Sequence, residues 1–106
     1  MSVELRPDVT QARPGDTVAY QILNHGPETL TFGAPYILER LDGEDWFECN
    51  EETTWTLPLV SLGPGKERTE WAHIPSDGPP GRYRVSKEVT AGEYDQVLSF
   101  ELDVAA

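Results

Sequence analysis

Apolar and polar residues alternate with a period of two along most of this chain. In residues 98–104 every second side chain is apolar, and the positions between them hold a serine and two acids. Residues 17–23 repeat the pattern, with Val18, Tyr20 and Ile22 on one face. A period of two belongs to a β-strand that buries one face and exposes the other. We find no stretch with a helical period, and the pattern therefore predicts an all-β fold.

Turn signals divide the chain into strand-length segments. Glycine, proline, asparagine and aspartate cluster at residues 13–16, 24–28, 62–65 and 75–81, and Asp42-Gly43 marks a tight hairpin turn. The strands predicted between the turns are residues 3–5, 17–23, 30–32, 36–41, 45–49, 66–74, one that begins near Tyr83, and 96–104. We expect 33–35 to be a bulge or a switch between sheets, and 50–60 to be a crossing segment or an edge strand. Seven or eight short strands predict an antiparallel β-sandwich in a single domain, residues 1–106.

One corner of the predicted sandwich has a residue-level signature. The turn Gly78-Pro79-Pro80-Gly81 leads into a strand whose first large buried-type side chain is Tyr83. In two-sheet sandwiches, a tyrosine just after such a turn often ties the corner by bonding its hydroxyl group to nearby backbone. We therefore expect the Tyr83 hydroxyl to bond to the backbone of this turn.

The charge of the chain limits the classes of partner. Nineteen acidic residues and 8 basic residues give a net charge of −11. This balance argues against binding a nucleic-acid backbone or an anionic membrane surface, because both require clustered lysine and arginine. No apolar run approaches the roughly 20 residues that span a bilayer, so membrane insertion is not expected. The single cysteine, Cys49, excludes an intradomain disulfide.

The sequence offers little catalytic or metal-binding chemistry. His25 and His73 are the only histidines, and no nucleophile motif accompanies them. We therefore expect no catalytic residue, no cofactor and no metal site. Zinc would require Cys49, His25 and His73 to converge with a fourth ligand. The acidic run from Asp42 to Glu52 could offer oxygen atoms to calcium, but its spacing differs from that of a calcium loop, and a solvated hairpin explains it equally well.

The three tryptophans are the best candidates for contact residues. We expect Trp46 and Trp71 to pack in the core, but the chain also holds several other large rings, so at least one tryptophan should remain partly exposed. Trp55 falls in the segment whose structure the pattern does not decide. Exposed tryptophan favours a protein partner or a stacked sugar. Trp55, and Trp71 if it is not packed in the core, are therefore the candidate contact residues.

Several segments together resemble a known family. They are Pro-Gly-Asp-Thr-Val at 14–18, Phe-Gly-Ala-Pro-Tyr-Ile-Leu-Glu at 32–39, Asp42-Gly43 with Trp46, Leu-Gly-Pro-Gly at 62–65, and Gly-Arg-Tyr-Arg-Val-Ser-Lys-Glu at 81–88. This set resembles bacterial immunoglobulin-like domains and covers nearly the whole chain. The resemblance implies an immunoglobulin-like sandwich, no catalytic motif, and a place in exported or lipid-anchored proteins. A looser similarity links the chain to the intracellular proteinase-inhibitor family of bacilli, from which it departs around residues 33–36.

These observations favour a non-catalytic, immunoglobulin-like binding or spacer module. Its partner would be another protein or a neighbouring domain, contacted through an edge strand or loops. Two alternatives stay open: a proteinase inhibitor that presents the loop 50–61, and a carbohydrate-binding module that uses exposed tryptophan. The expected location is within a longer exported bacterial protein, and a cytoplasmic location is the alternative because no signal peptide is evident at the start.

Overall fold

The structure, a computed structural model, describes residues 3–33, 36–49 and 59–105. Within these ranges the chain forms ten β-strands and no helix. The strands are β1 Val3–Pro7, β2 Gln11–Ala12, β3 Thr17–Asn24, β4 Leu30–Phe32, β5 Ile37–Asp42, β6 Asp45–Glu48, β7 Val60–Leu62, β8 Glu67–His73, β9 Gly81–Ala91 and β10 Tyr94–Val104. The all-β sandwich fold is confirmed. The two strands beyond the expected number are the very short β2 and β7.

The strands form two sheets. The small sheet has the order β1-β3-β8, and the large sheet has the order β2-β10-β9-β4-β7, with β5 pairing to β9 and β6 pairing to β5. Every pair is antiparallel except β2 with β10, which run parallel. Because β4 and β5 both pair with β9, the interruption at 33–35 separates two strands of one sheet. The expected switch between sheets is therefore wrong, and residues 34 and 35 lie outside the described ranges.

The core lies between the two sheets and is filled by alternate side chains. Tyr20 of the small sheet meets Phe100 of the large sheet with ring centroids 5.2 Å apart. The other large, fully buried apolar side chains are Val18, Ile22, Leu30, Leu38, Ile74, Tyr83, Val85, Val89 and Leu102. Burying an aliphatic side chain of this size contributes about 1.5–3 kcal/mol, so these contacts hold the sheets together.

The Tyr83 corner forms as the sequence predicts. The Tyr83 hydroxyl donates a hydrogen bond to the Pro79 carbonyl oxygen at 2.7 Å. Gly78 makes room for it, because a Cβ atom at this position would lie 2.9 Å from the Tyr83 hydroxyl oxygen and 3.0 Å from the Pro75 carbonyl oxygen. The glycine and the tyrosine therefore form one structural unit at the entrance to β9.

A charged pair crosses the core between the sheets. Lys87 of β9 is fully buried, and its ammonium donates a hydrogen bond to the Gly33 carbonyl oxygen at 2.6 Å. The same nitrogen lies 3.5 Å from the Glu70 carboxylate of β8 and 5.4 Å from the ring centroid of Phe32. Burial lowers the pKa of Lys87, and the Glu70 carboxylate opposes that shift. The pair links β9 to β8. Alternation places residue 87 on the same inward face as Tyr83 and Val85, where a lysine is an unexpected residue type.

Candidate protein-contact surfaces

Trp71 lies on the outer face of the small sheet and is 58% exposed. Successive side chains of a strand point to opposite faces of the sheet. The next residue, Ala72, pairs with Val18 and is buried in the core, so Trp71 points outward. The residue directly across from Trp71 is Ala19, whose small side chain leaves the indole uncovered. The expected burial of Trp71 is therefore wrong. We call this region the Trp71 face, formed by Trp71, Ala19, Thr17, Gln21, Thr69 and His73.

Apart from Trp71 and the small Ala19, the side chains of the Trp71 face are polar. His73 Nδ1 lies 3.3 Å from Thr17 Oγ1, and the His73 amide donates a 2.8 Å hydrogen bond to the Tyr36 hydroxyl. The ring of Trp71 thus stands as a single large apolar group among hydroxyl, imidazole and amide side chains. Such an arrangement suits a surface that buries one aromatic anchor and satisfies polar groups around it.

Trp46 lies on the outer face of the large sheet and is half-buried. The guanidinium carbon of Arg84 sits 4.3 Å from its ring centroid, and Arg84 also donates two hydrogen bonds to one Glu39 carboxylate oxygen, at 2.9 and 3.1 Å. The expectation that Trp46 packs in the core is wrong. A cation over an aromatic ring at an exposed site stabilises the pair by about 0.5–1 kcal/mol. Arg84 therefore covers one face of the Trp46 ring within the domain.

The second candidate contact residue, Trp55, lies outside the described residues, as does the segment 50–58 of the predicted inhibitor loop. The described part of that loop is 59–61. Leu59 is exposed, and Val60 begins β7, which pairs with β4 at the end of the large sheet. Of the segment 50–60, for which we expect a crossing segment or an edge strand, only residues 59 and 60 are described, so the choice between the two stays a prediction.

A cavity of about 390 Å³ opens at one end of the sandwich. We call it the end cavity. Its lining is mainly apolar and comes from the start of β1, the β3–β4 turn and the β9–β10 hairpin: Val3, Asn24, Gly26, Pro27, Glu28, Leu30, Ala91, Tyr94, Asp95 and Gln96. Its volume lies at the low end of the range for ligand pockets. The sequence does not predict this cavity, because no local motif indicates that these distant segments lie next to each other.

The side chain of Asn24 forms part of the wall of the end cavity. It is buried, and its side-chain amide donates to the carbonyl oxygens of Glu28 and Leu62 at 2.8 and 2.9 Å. Its side-chain oxygen accepts a 3.0 Å hydrogen bond from the Gly26 amide. These bonds use the polar groups of Asn24 within the turn, so the side chain holds the shape of the wall.

His25 and Cys49 lie outside these surfaces and have structural partners. His25 Nε2 lies 3.0 Å from the Glu4 carboxylate, and the Cys49 Sγ atom lies 3.5 Å from the Leu38 carbonyl oxygen. Burial raises the pKa of Cys49, which favours the protonated thiol over the nucleophilic thiolate. In the part of the chain that the structure describes, no three His, Cys, Asp or Glu side chains meet as a metal-binding group, and residues 50–52 of the acidic run fall outside it.

The chain matches the family described as "Bacterial Ig-like domain" over residues 2–103. It belongs to that family. Domains of this family are generally non-catalytic and often occur in exported proteins. Across its described ranges, the bacterial Ig-like domain forms no helix suited to crossing a bilayer. No curated protein matches it.

Solved structures share the fold of this bacterial Ig-like domain at low sequence identity. A PapD-like (ASH) domain of human CEP192 has a TM-score of 0.54 and 19% identity, over 99% of this chain and 84% of that chain. Spo0M, a sporulation control protein of Bacillus subtilis, has a TM-score of 0.55 and 14% identity, over 99% of this chain and 49% of that chain. The CsuC–CsuE chaperone–tip adhesion subunit pre-assembly complex of Acinetobacter baumannii gives a TM-score of 0.59 and 11% identity, over 100% of this chain and 57% of the matched chain. The domain spans about half of the last two chains, and likeness at these identities shows the fold alone.

Proposed function

We propose that this domain is a non-catalytic module that holds another protein, or a neighbouring domain, against its outer surface. The observation that carries the proposal is the exposure of Trp71 on the outer face of the small sheet, among mainly polar side chains. Tryptophan is enriched among the few residues that dominate binding energy at protein interfaces. Ala72 fills the inward position next to it, so burial in the core does not account for an indole at residue 71.

The chemistry of the described residues supports a binding role over a catalytic one. Within the described ranges, the Thr17 hydroxyl lies 3.3 Å from His73 Nδ1, but no carboxylate is hydrogen-bonded to that imidazole to orient it as a base. The family is generally non-catalytic. The matched chaperone–adhesion subunit complex is itself a protein–protein assembly, so a sandwich of this shape is compatible with such a role.

The net charge of the chain limits the classes of partner that it can bind. A net charge of −11 favours a neutral or basic protein surface and disfavours nucleic acid and anionic membrane. The proposal treats residues 1–106 as one domain of a longer exported bacterial protein, in keeping with the family, and a cytoplasmic location is the alternative.

The experiment compares capture by the wild-type domain with capture by two variants. Trp71→Ser removes the proposed anchor, and Phe47→Ser removes an exposed aromatic ring of β6, at the edge of the large sheet. Each immobilised protein is incubated with an extract of the producing cells, and bound proteins are quantified by mass spectrometry. We expect at least one protein to bind wild type and Phe47→Ser but to bind Trp71→Ser about thirtyfold less, the effect of a hot spot worth about 2 kcal/mol.

Two results would overturn this assignment. One is that all three proteins capture the same set in the same amounts. The other is that nothing binds any of them, which would leave a spacer without a contact surface. Thermal unfolding of the variants provides the control for folding, since both substitutions are on the surface and should change stability by less than about 0.5 kcal/mol.

The Trp71 face also supports a second candidate function, the binding of a carbohydrate. An exposed indole among hydroxyl and amide side chains can stack on a sugar ring. Titration of the domain with soluble β-glucan and chitin oligosaccharides, followed by tryptophan fluorescence, tests this function. A saturable change that disappears in Trp71→Ser would support it, and a flat titration at millimolar sugar would exclude these ligands.

A further inference from the structure

Strand β10 has one open edge. It pairs with β9 from Tyr94 to Val104 without a bulge, but on its other side β2 pairs only with Asp103 and Val104. Residues 94–102 therefore have no strand partner on that side among the described residues. Exposed edges are commonly protected by proline, lysine or a bulge. Residues 94–102 contain none of these; the charged side chains of the edge are Asp95 and Glu101, and β1 packs near β10 without pairing with it. The backbone groups on this side therefore remain without a strand partner among the described residues.

The hydrogen bonds at the far end of β10 show which amides face the open edge. The Asp103 amide donates to the Thr10 carbonyl oxygen, and the Ala105 amide donates to the Ala12 carbonyl oxygen, both at 2.9 Å. Odd-numbered residues of this strand therefore point their backbone groups away from β9. Because direction alternates along a strand, the backbone groups of Asp95, Val97, Ser99 and Glu101 also face the open edge. Val97, in the middle, is 65% exposed.

The end cavity lies at the start of this edge. Tyr94, Asp95 and Gln96 of β10 and Val3 of β1 belong to its lining. A strand added beside β10 would point alternate side chains toward the small sheet, on the same side as Gln96. One of those side chains would meet the apolar lining of the cavity. The edge and the cavity thus form one continuous surface with a backbone-binding part and a side-chain-binding part.

Charge determines which strand fits the edge. Asp95 and Glu101 stand on it: Asp95 accepts a 2.7 Å hydrogen bond from the Thr90 hydroxyl, and Glu101 lies 3.0 Å from Arg82, which is also 3.3 Å from Asp103. In an antiparallel pair of two β10 edges centred on Leu98, Asp95 of each copy would lie opposite Glu101 of the other, and like charges directly opposite each other destabilise a strand pair. A basic strand from another protein is complementary.

We propose that the open edge of β10 binds an extended segment of another protein as an added strand, with a basic side chain beside Asp95 or Glu101 and an apolar side chain in the end cavity. This inference rests on the proposed function and names the partner's chemistry. In such strand addition, main-chain hydrogen bonds supply affinity and pockets for alternate side chains supply specificity.

The test uses a matched pair of substitutions at Val97. Val97→Pro removes an amide that faces the open edge and fills that edge with a ring, yet it breaks no hydrogen bond to β9. Val97→Thr keeps the amide and the β-branched shape. A third variant, Gln96→Phe, places a ring in the end cavity without changing the backbone. Circular dichroism and thermal unfolding establish that each variant is folded.

The probes are peptides selected from a random display library of roughly twelve-residue sequences against the wild-type domain at low salt, and then synthesised. We expect alternating sequences with lysine or arginine at alternate positions, and amide chemical-shift changes confined to residues 94–102 and the end cavity. Affinity should fall at least about tenfold in Val97→Pro and in Gln96→Phe, stay within about twofold in Val97→Thr, and weaken as salt rises.

Other results overturn the inference. Peptides that bind Val97→Pro as tightly as wild type would do so, as would failure to select any peptide. A dimer in sedimentation that Val97→Pro dissolves would assign the edge to a second copy instead. Shifts confined to the Trp71 face, with binding lost in Trp71→Ser, would leave the proposed function standing while this inference fails.

Discussion

Two tyrosines in the core differ in what their hydroxyl groups bind. The Tyr83 hydroxyl has an acceptor in the Pro79 carbonyl. The Tyr20 hydroxyl is buried without a hydrogen-bond partner among the described residues, and burial raises the pKa of Tyr20. A buried polar group without a partner lowers stability, whereas a bonded one contributes to it. The same chemical group should therefore have opposite effects at the two positions.

Replacing each tyrosine by phenylalanine measures that difference. Tyr83→Phe should lower the free energy of unfolding by about 1 kcal/mol, because it leaves the Pro79 carbonyl without its donor. Tyr20→Phe should leave the free energy of unfolding unchanged or raise it by up to about 1 kcal/mol. Urea unfolding followed by fluorescence measures both. Equal losses in the two variants would show that the hydroxyl of Tyr20 also has a stabilising partner.

The buried Lys87–Glu70 pair gives an asymmetric prediction. Glu70→Gln leaves a fully buried ammonium without its carboxylate and should cost about 3–5 kcal/mol. Lys87→Met should cost less, because Glu70 keeps Arg68, whose Nε atom lies 3.1 Å away. Without Glu70 the pKa of Lys87 falls further, so the stability of Glu70→Gln should recover as pH rises toward the ordinary lysine value. Denaturation at several pH values tests the order, and a larger loss in Lys87→Met would contradict it.

At the scale of elements, hairpin turns connect strands that pair with each other. Asp42 pairs with Asp45 at the end of β5 and β6, so Gly43 and Glu44 form the loop. Gly43 has a φ of 66°, a left-handed conformation that glycine adopts without strain. The Asp42-Gly43 signal predicted this hairpin because the local conformation depends on local residues.

Alanine substitutions separate that conformational effect from packing. Gly43→Ala should lower the free energy of unfolding by about 1 kcal/mol through backbone strain alone, since a Cβ atom there meets nothing within 4 Å. Gly63→Ala is the control, because Gly63 does not have a left-handed φ and its Cβ would make only an ordinary contact with Lys66. We expect the control to be neutral or slightly stabilising in chemical denaturation. Equal effects at both positions would refute the conformational explanation.

At the scale of the whole molecule, repulsion among the excess negative charges lowers the stability of the folded state. The net charge of −11 resides on a chain of 106 residues, so the folded state brings many like charges close together. The ion pairs of Arg82 and Arg84 relieve this locally, on the outer face of the large sheet. The remaining repulsion also keeps copies of the domain apart, which supports a heterologous partner.

Salt should therefore stabilise the domain at neutral pH. Raising NaCl from low concentration to about 0.5 M shortens the range of repulsion and should raise the Tm by a few degrees. Near the isoelectric point, about pH 4.4, the same increase should have little effect. Differential scanning calorimetry measures both. A Tm that falls with salt at neutral pH would mean that attractive ion pairs outweigh the general repulsion.

Alternation together with turn residues was sufficient to predict eight strands, the hairpin at Asp42-Gly43 and the corner tyrosine, because each depends on a local pattern. Alternation alone leaves some positions undecided. It was not sufficient at Trp71 and Ala72, where both faces of the strand carry an apolar side chain. Either face could turn inward. The large sheet packs against the face that carries Ala72, and this leaves Trp71 on the outside. Lys87 shows a different limit: alternation places it on the inward face, but the partners that permit a buried ammonium there, Glu70 and Gly33, come from distant segments.

The sequence by itself determined an all-β sandwich, the acidic character of its surface and the scarcity of reactive side chains. Period, turn chemistry and composition are properties of neighbouring residues or of simple sums. Only the tertiary structure decided that Trp71 faces solvent, that Arg84 covers Trp46, and that β10 keeps an open edge beside the end cavity. These features arise from strand pairing between segments far apart in the chain, which no local pattern encodes.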